Sequence, residues 1–202
     1  MTELGKPLRE FGGIRIRRVQ DVHPEKIEEA ASLGHFFDRY NKSEHEIQEV
    51  TDFIRKEMQQ VHRNPITSRN TAVVAEEVAT GHVVGVAFGK PVVDALEPKN
   101  PIYRAVCRNG SEFRTLFLFF QVVHPEWRRK GIGKALIEVR RELGKELRCN
   151  QVLHVVLPEN AERKPLIPKT AKFLGMFDFG GAAHEVHLEQ METVPVRKPK
   201  LR

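Results

Sequence analysis

An apolar run, a basic loop with two glycines and a long amphipathic stretch follow one another without interruption between residues 115 and 148. The run Thr115–Val123 reads TLFLFFQVV, which predicts a strand buried on both faces of a sheet. Pro125 ends this strand, and a helix is predicted from about Lys130 to Arg148. The buried stripe of that helix consists of Ile132, Leu136, Val139, Leu143 and Leu147. This succession indicates a domain in which a sheet packs against helices.

Before the apolar run, the sequence predicts one strand, two helices and a hairpin. Ile14–Val19 alternates apolar and basic residues, as a strand does. A first helix is expected over residues 23–40, and a second begins at Ser43, which forms a capping-box pattern with Glu46. The two strands of the hairpin, joined by the turn Thr80-Gly81, are Thr71–Glu77 and Val83–Val93.

Three further segments complete the predicted order of elements. Asp94–Phe113 is a long connection between the hairpin and the apolar run. Gln151–Leu157 is predicted as another buried strand, and a short helix is expected to end near Leu174-Gly175. A closing hairpin is predicted from the segments Met176–Phe179 and Ala183–Met191. The elements therefore follow the order β-α-α-β-β-β-α-β-α-β-β.

This order predicts an α/β fold, a mixed central sheet flanked by helices, in a single domain over residues 12–192. A chain of 202 residues with 40% hydrophobic residues suits one such domain. Residues 1–11 are polar and residues 193–202 are polar and basic, so both ends are expected to be flexible tails.

Composition argues against several classes of protein. No apolar run reaches the roughly 18 residues that span a membrane, and the N-terminus has no apolar signal core. Cys107 and Cys149 lie far apart and form no metal-ligand spacing, so we expect a cytoplasmic protein without a metal. Part of the net charge of +6 lies in the tail Arg197–Arg202. No aromatic residue interleaves with those charges, which favours a solvated end over nucleic-acid binding.

The loop before the amphipathic helix has the composition of an anion site. Gly131 and Gly133 let the backbone turn tightly and approach a ligand closely. The first turn of a helix leaves N–H groups unpaired, and the helix dipole adds positive potential there. Basic residues at a helix start oppose that dipole unless an anion binds, and four are present: Arg128, Arg129, Lys130 and Lys134. We therefore expect this loop to bind phosphate.

Two common nucleotide-binding motifs do not fit this loop. A P-loop has Ser or Thr after its lysine, whereas Ala135 follows Lys134. The dinucleotide-binding pattern has a third glycine, whereas Leu136 stands at that position.

The pattern Arg-x-x-Gly-x-Gly after Val-x-Pro, between a strand and a helix, resembles the GNAT superfamily of acetyl-CoA-dependent acetyltransferases. The order of elements from Ile14 to Met191 is also similar to that family. The resemblance implies that the loop grips the pyrophosphate of coenzyme A through its side chains and amides. The matching residues are Arg128, Gly131 and Gly133, and the resemblance implies that the loop amides donate to phosphate, namely those of Arg129, Lys130, Gly131, Ile132, Gly133 and Lys134.

The resemblance also implies how the rest of the co-substrate binds. The strand before the loop splays from its neighbour in this family, and its open main chain holds the pantetheine arm. One of its amides polarises the thioester carbonyl. These roles carry over to the main chain of Gln121, Val122 and Val123, and Asn160 matches a further asparagine of the family.

The family's usual catalytic residues have no clear counterparts in this sequence. Leu116–Phe119, where the family often has an ionisable base, is entirely apolar. Ala171 stands where the family has a tyrosine that protonates the leaving thiolate. Glu112 and His154 are weak substitutes for the base, and the sequence leaves the catalytic residues unassigned.

The resemblance implies an acyltransferase that moves an acetyl group from acetyl-CoA to an amine, which attacks the thioester directly. Two alternatives stay open: a catalytically inactive CoA-binding regulatory module, and a nucleic-acid or ribosome-associated protein that uses its basic tail. The acceptor amine, on a small molecule or a protein, is not identified by the sequence. A homodimer is compatible with the resemblance, because many relatives are dimers.

Overall fold

The computed structural model describes residues 5–37, 43–64, 69–107, 114–156, 167–179 and 182–191. Eight strands occur in these ranges. They are β1 (Arg9–Phe11), β2 (Ile14–Arg18), β3 (Val73–Glu77), β4 (Val83–Pro91), β5 (Thr115–Val123), β6 (Gln151–Val156), β7 (Lys172–Phe179) and β8 (Ala182–Gln190). The α-helices are α1 (Lys26–Ser32), α2 (Glu44–Arg63), α3 (Val92–Ala95), α4 (Pro101–Cys107) and α5 (Ile132–Glu146).

All eight strands belong to one mixed sheet, in the order β1-β2-β3-β4-β5-β6-β8-β7. The pair β5–β6 is parallel, and the other neighbouring pairs are antiparallel. A parallel pair needs a crossover connection, and α5 lies in the one between β5 and β6. The predicted α/β class, with a mixed sheet flanked by helices, is therefore confirmed.

Three segments differ from the sequence predictions. The sheet begins at Arg9, within the stretch expected to be a tail, because β1 pairs with β2. The predicted strand Val83–Val93 ends at Pro91, because α3 begins at Val92, and the connection that follows contains α4. The prediction of a short helix that ends near Leu174-Gly175 is wrong at its C-terminal end. Both residues lie in β7, which pairs with β8 at the edge of the sheet.

The capping box that opens α2 is confirmed. The backbone N–H of Ser43 donates to Glu46 Oε2 at 2.8 Å, and the backbone N–H of Glu46 donates to Ser43 Oγ at 3.3 Å. The buried side of α2 consists of Thr51, Ile54, Met58 and Val61. It packs with α1 on one face of the sheet, in a cluster that also contains Phe88 and Phe120.

Helix α5 covers the opposite face of the sheet. Ile132, Ala135, Leu136, Val139 and Leu143 pack against apolar residues of β2, β3 and β4. The helical spacing of these residues places them on one side of α5, as the sequence predicted. The packing holds the start of α5 beside the end of β5, where the candidate site lies.

Candidate active site

Strands β5 and β6 diverge part of the way along their length. Their parallel pairing runs from Thr115↔Gln151 to Leu118↔His154. Beyond that point β5 stays paired with β4 as far as Val123, and β6 stays paired with β8 as far as Val156. Among the described residues, the two strands are not paired with each other beyond Leu118 and His154, so their facing edges leave a gap that an extended ligand would fit. On β5, the carbonyls of Phe120 and Val123 already accept hydrogen bonds from Arg140 and Arg128.

A cavity of about 100 Å³ lies in this gap. Its lining is apolar except for Gln121, Arg140 and His154 and their neighbouring main chain. The apolar contributors are Phe37, Leu118, Phe119, Phe120, Ile137, Val155, Val156 and Ile167. A lining of apolar side chains with a few polar groups suits a ligand with an uncharged arm.

A bulge in the pairing of β4 with β5 shapes the cavity. The pair Phe88↔Phe120 is followed by Lys90↔Phe117, so β5 contains one residue more than β4 between them. Phe119 and Phe120 both contact Phe88 as a result, with ring centroids 6.3 Å and 5.5 Å away. The extra residue shifts the alternation of side chains between the two faces of the sheet. As a result, Gln121 lies on the face that is covered by α5.

The start of α5 has the properties of an anion site. Gly131 is the residue before the helix, with φ of 82°, and it provides no side-chain cap for the first N–H groups. The first turn contains no acidic residue. Arg129 also has a positive φ, 61°, which non-glycine residues adopt rarely. These conformations curve the loop so that amides of successive residues can converge on one anion, and the residues fit a phosphate-bearing ligand.

The basic side chains of this loop differ in what they contact. The Arg128 guanidinium donates to the carbonyls of Val123 and Phe36, at 3.0 Å and 2.8 Å, and so ties the loop to the segment after α1. The Lys130 ammonium lies 4.3 Å from the ring centroid of Trp127. Lys134 is largely exposed and lies 3.9 Å from Glu138. Arg128 is thus engaged in hydrogen bonds within the protein, whereas Lys134 is exposed at the start of α5.

Arg140 is a cavity residue that the sequence predictions missed. It is 1% exposed, and its guanidinium donates to the carbonyls of Phe88 and Phe120 at 2.8 Å and 3.1 Å and to Gln121 Oε1 at 2.6 Å. Burial, together with the nearby charge of Arg141, lowers the pKa of Arg140 to about 9. Its position four residues after Leu136, on the buried stripe of α5, was the one available sequence signal.

His154 lies where the two strands begin to diverge, and it is 6% exposed. Its Nε2 lies 2.8 Å from Glu189 Oε2 on β8, and Arg141 pairs with the same carboxylate. Burial lowers the pKa of His154, and Glu189 opposes this only in part. Burial disfavours the Glu189 carboxylate, but the hydrogen bond from His154 and the charge of Arg141 hold its pKa below the ordinary value. His154 is therefore a neutral imidazole beside an ionised carboxylate near pH 7.

Other predicted site residues lie elsewhere. Glu112 and Asn160 fall outside the described residues. Ala171 is in a turn before β7, where its N–H donates to the carbonyl of Pro168 at 2.9 Å. Within the described ranges, no cluster of His, Cys, Asp or Glu has the arrangement of a metal site, and no helix is long and apolar enough to cross a membrane.

Comparisons with known proteins identify one matching family and several similar folds. The family model described as the acetyltransferase (GNAT) family matches residues 33–171. A search of the curated proteins finds no match. Several solved structures are similar in fold, and each is well below 25% identical to this chain.

Three of these structures illustrate the likeness. Ard1 of Thermoplasma volcanium has a TM-score of 0.58 and 16% identity, over 90% of this chain and 99% of that one. The ribosomal-protein-S5-alanine acetyltransferase of Vibrio fischeri has a TM-score of 0.59 and 10% identity, over 90% and 95%. A chimera of the spermidine N-acetyltransferase SpeG from Vibrio cholerae has a TM-score of 0.58 and 14% identity, over 89% and 96%.

Proposed function

This chain belongs to the GNAT family of acetyltransferases, and from that premise we propose that it transfers an acetyl group from acetyl-CoA to an amine. One observation carries the proposal: the gap between β5 and β6 opens beside the uncapped, acid-free start of α5. An acyl-CoA combines an extended uncharged arm with a pyrophosphate. The gap suits the arm, and the helix start suits the pyrophosphate.

The residues that would hold acetyl-CoA follow from this placement. The amides of Gly131–Lys134 would bind the pyrophosphate, because the first N–H groups of a helix have no partner within it. The open main chain of Gln121, Val122 and Val123 would bind the pantetheine arm as a neighbouring strand would. An amide of this segment would polarise the thioester carbonyl and stabilise the negative charge that develops on its oxygen.

We propose His154 as the group that removes the proton from the attacking amine. It lines the cavity where the strands diverge, and its lowered pKa keeps it unprotonated near neutral pH. If Nε2–H donates to Glu189, then Nδ1 is the proton acceptor of the neutral ring. The new C–N bond forms as the C–S bond breaks, and the proton taken by His154 returns through water to the thiolate.

The acceptor is proposed only as an amine. Two of the similar structures are named as acetyltransferases of spermidine and of a ribosomal protein, whose acceptors are amines of very different size. The described cavity lining contains no carboxylate that would select a polyamine by charge.

The first test is calorimetric titration of the purified protein with acetyl-CoA, alongside ATP and NAD. We expect acetyl-CoA to bind and the two nucleotides to bind far more weakly. A panel of amines would then be screened for release of free CoA thiol. Folded protein that does not bind acetyl-CoA would contradict the proposal.

A CoA-binding module without catalysis is the second candidate. Two observations favour it: Ala171 occupies the matched tyrosine position in a turn, and the cavity lining contains no tyrosine among the described residues. This candidate predicts acetyl-CoA binding without thiol release. Turnover of acetyl-CoA with any amine excludes it.

A further inference from the structure

The side chain of Gln121 connects the buried Arg140 to the first turn of α5. Its Oε1 accepts a hydrogen bond from Arg140 Nη2 at 2.6 Å. Its Nε2 lies over Gly133, since a Cβ added to that glycine would be only 3.0 Å from it. The carboxamide thus spans the distance between a buried cation and the helix start where phosphate is expected.

Arg140 determines which way this carboxamide points. A guanidinium has only donors, so the oxygen of Gln121 must face it and the NH₂ group must face away. Arg140 is itself held by the carbonyls of Phe88 and Phe120, on both sides of the bulged strand pair. The two N–H donors of Gln121 are therefore oriented toward the start of α5 before any ligand binds.

The same contact shows how close the Gln121 carboxamide lies to position 133. A side chain there would compete with the Gln121 carboxamide for one space above the first turn of α5. Gly133 is the second residue of α5, where backbone N–H groups point out of the helix start. The NH₂ group therefore lies beside these N–H groups.

On the basis of the proposed function, we propose that the Gln121 side chain, oriented by Arg140, donates a hydrogen bond to a phosphate of acyl-CoA at the start of α5. Gln121 is then a binding residue through its side chain as well as its main chain, and Arg140 is a positioning residue. A carboxylate at position 121 would still pair with Arg140 but would repel the phosphate, so an amide is the chemistry required.

The test compares two variants of similar size, Gln121→Glu and Gln121→Met, by calorimetric titration with acetyl-CoA. Loss of a hydrogen bond to a charged group in Gln121→Met should weaken binding roughly tenfold. Gln121→Glu adds repulsion and should bind roughly tenfold more weakly still, with the difference narrowing at high salt. The matched control is Gln190→Glu, an exposed position at the end of β8 that pairs with Gln151, away from the gap.

Arg140→Lys tests the positioning role, because a single ammonium cannot bond both strand carbonyls and the carboxamide at once. Once the amine screen has identified a substrate, we expect Arg140→Lys to raise the KM for acetyl-CoA several-fold with little change in kcat. An unchanged KM in the folded variant would overturn the role of Arg140.

The outcomes separate this proposal from the one on which it rests. An unaltered protein that fails to bind acetyl-CoA contradicts the proposed function and this assignment with it. An unaltered protein that binds, with Gln121→Glu binding as tightly as Gln121→Met or more tightly, overturns the phosphate contact alone. The affinity order Gln, then Met, then Glu supports it.

Discussion

Two residues of the loop before α5, Arg129 and Gly131, have positive φ angles of 61° and 82°. Left-handed backbone is unfavourable for a residue with a Cβ, so Arg129 is under local strain that the surrounding structure must hold. Gly131 has open space around it, because a Cβ added there would have Phe11 Cε2 as its nearest neighbour, at 4.0 Å. Backbone conformation therefore explains the glycine at position 131, whereas a side chain at position 133 would displace the Gln121 carboxamide.

Gly131→Val is expected to lose acetyl-CoA binding, because the loop can no longer adopt the curvature that gathers its amides. The left-handed φ should lower the free energy of unfolding by about 1–2 kcal/mol. Urea unfolding and calorimetric titration measure the two effects. The matched control is Gly81→Val, which has a φ of 71° in the turn between β3 and β4 and should lose similar stability but bind normally. Equal binding by both variants would contradict the site.

The lowered pKa of His154 predicts a pH dependence of stability. The unfolded chain takes up a proton on this side chain near its ordinary pKa of about 6.5, whereas the folded protein does so only at lower pH. The free energy of unfolding should therefore be fully retained above pH 6.5 and fall as the pH drops below it. His154→Gln should reduce this loss, measured by urea unfolding from pH 8 to 5.5, with the exposed His45→Gln as control. An unchanged pH dependence would contradict the burial of a neutral imidazole.

At the scale of elements, the site depends on two strands that begin as a pair and end apart. The bulge between β4 and β5 and the end of the β5–β6 pairing occur at neighbouring positions, around Leu118. Helix α5 spans this region, and Arg140 bonds to the carbonyls of Phe88 and Phe120 across the bulged pair. The helix that begins at the proposed phosphate site thus also bonds to the strands that border the gap.

Hydrogen exchange should detect the open strand edges. We expect the amides of residues 119–123 that face the gap to exchange faster than those of β3, which is paired on both sides. Acetyl-CoA should slow exchange in residues 119–123 and at the start of α5, and leave Val73–Glu77 unchanged. Mass spectrometry of peptides from the free and bound protein measures this. No added protection around β5 would place the ligand elsewhere.

At the scale of the whole molecule, one sheet joins every part of the site. β5 provides the edge that faces the gap, β6 carries His154 and β8 carries Glu189, while α5 carries Arg140 and begins at the proposed phosphate site. A ligand that contacts several of these elements binds the folded state and not the unfolded chain, so binding must raise the stability of the domain.

Acetyl-CoA should therefore raise the melting temperature. At a hundredfold excess over Kd, binding contributes about 2.7 kcal/mol, which corresponds to roughly 5–10 °C for a domain of this size. Thermal unfolding with and without acetyl-CoA measures the shift, and ATP serves as the ligand control. Gly131→Val should show no shift with acetyl-CoA. A shift of equal size with ATP would argue for a general anion site.

Sequence alone determined the features that depend on residues close together in the chain. The capping box of Ser43 and Glu46, the bounds of Thr115–Val123 and the turn at Thr80-Gly81 all follow from local spacing. The loop containing Gly131 also depends on neighbouring residues, because its glycines lie next to the start of the helix in the chain. The capping box and the turn depend on backbone conformation and hydrogen bonds within a few residues, and the strand was predicted from its continuous apolar run between turn signals.

The tertiary structure decided what depends on distant partners. Leu174-Gly175 forms a strand because β8 supplies its hydrogen bonds, whereas a short apolar run alone does not distinguish strand from helix. The contacts of Arg140 with Phe88 and of His154 with Glu189 join residues 52 and 35 positions apart. Burial and pairing set the environment of these polar groups, and both arise only when the sheet assembles. The loop that precedes α5 could therefore be predicted from the sequence, and the polar network behind it could not.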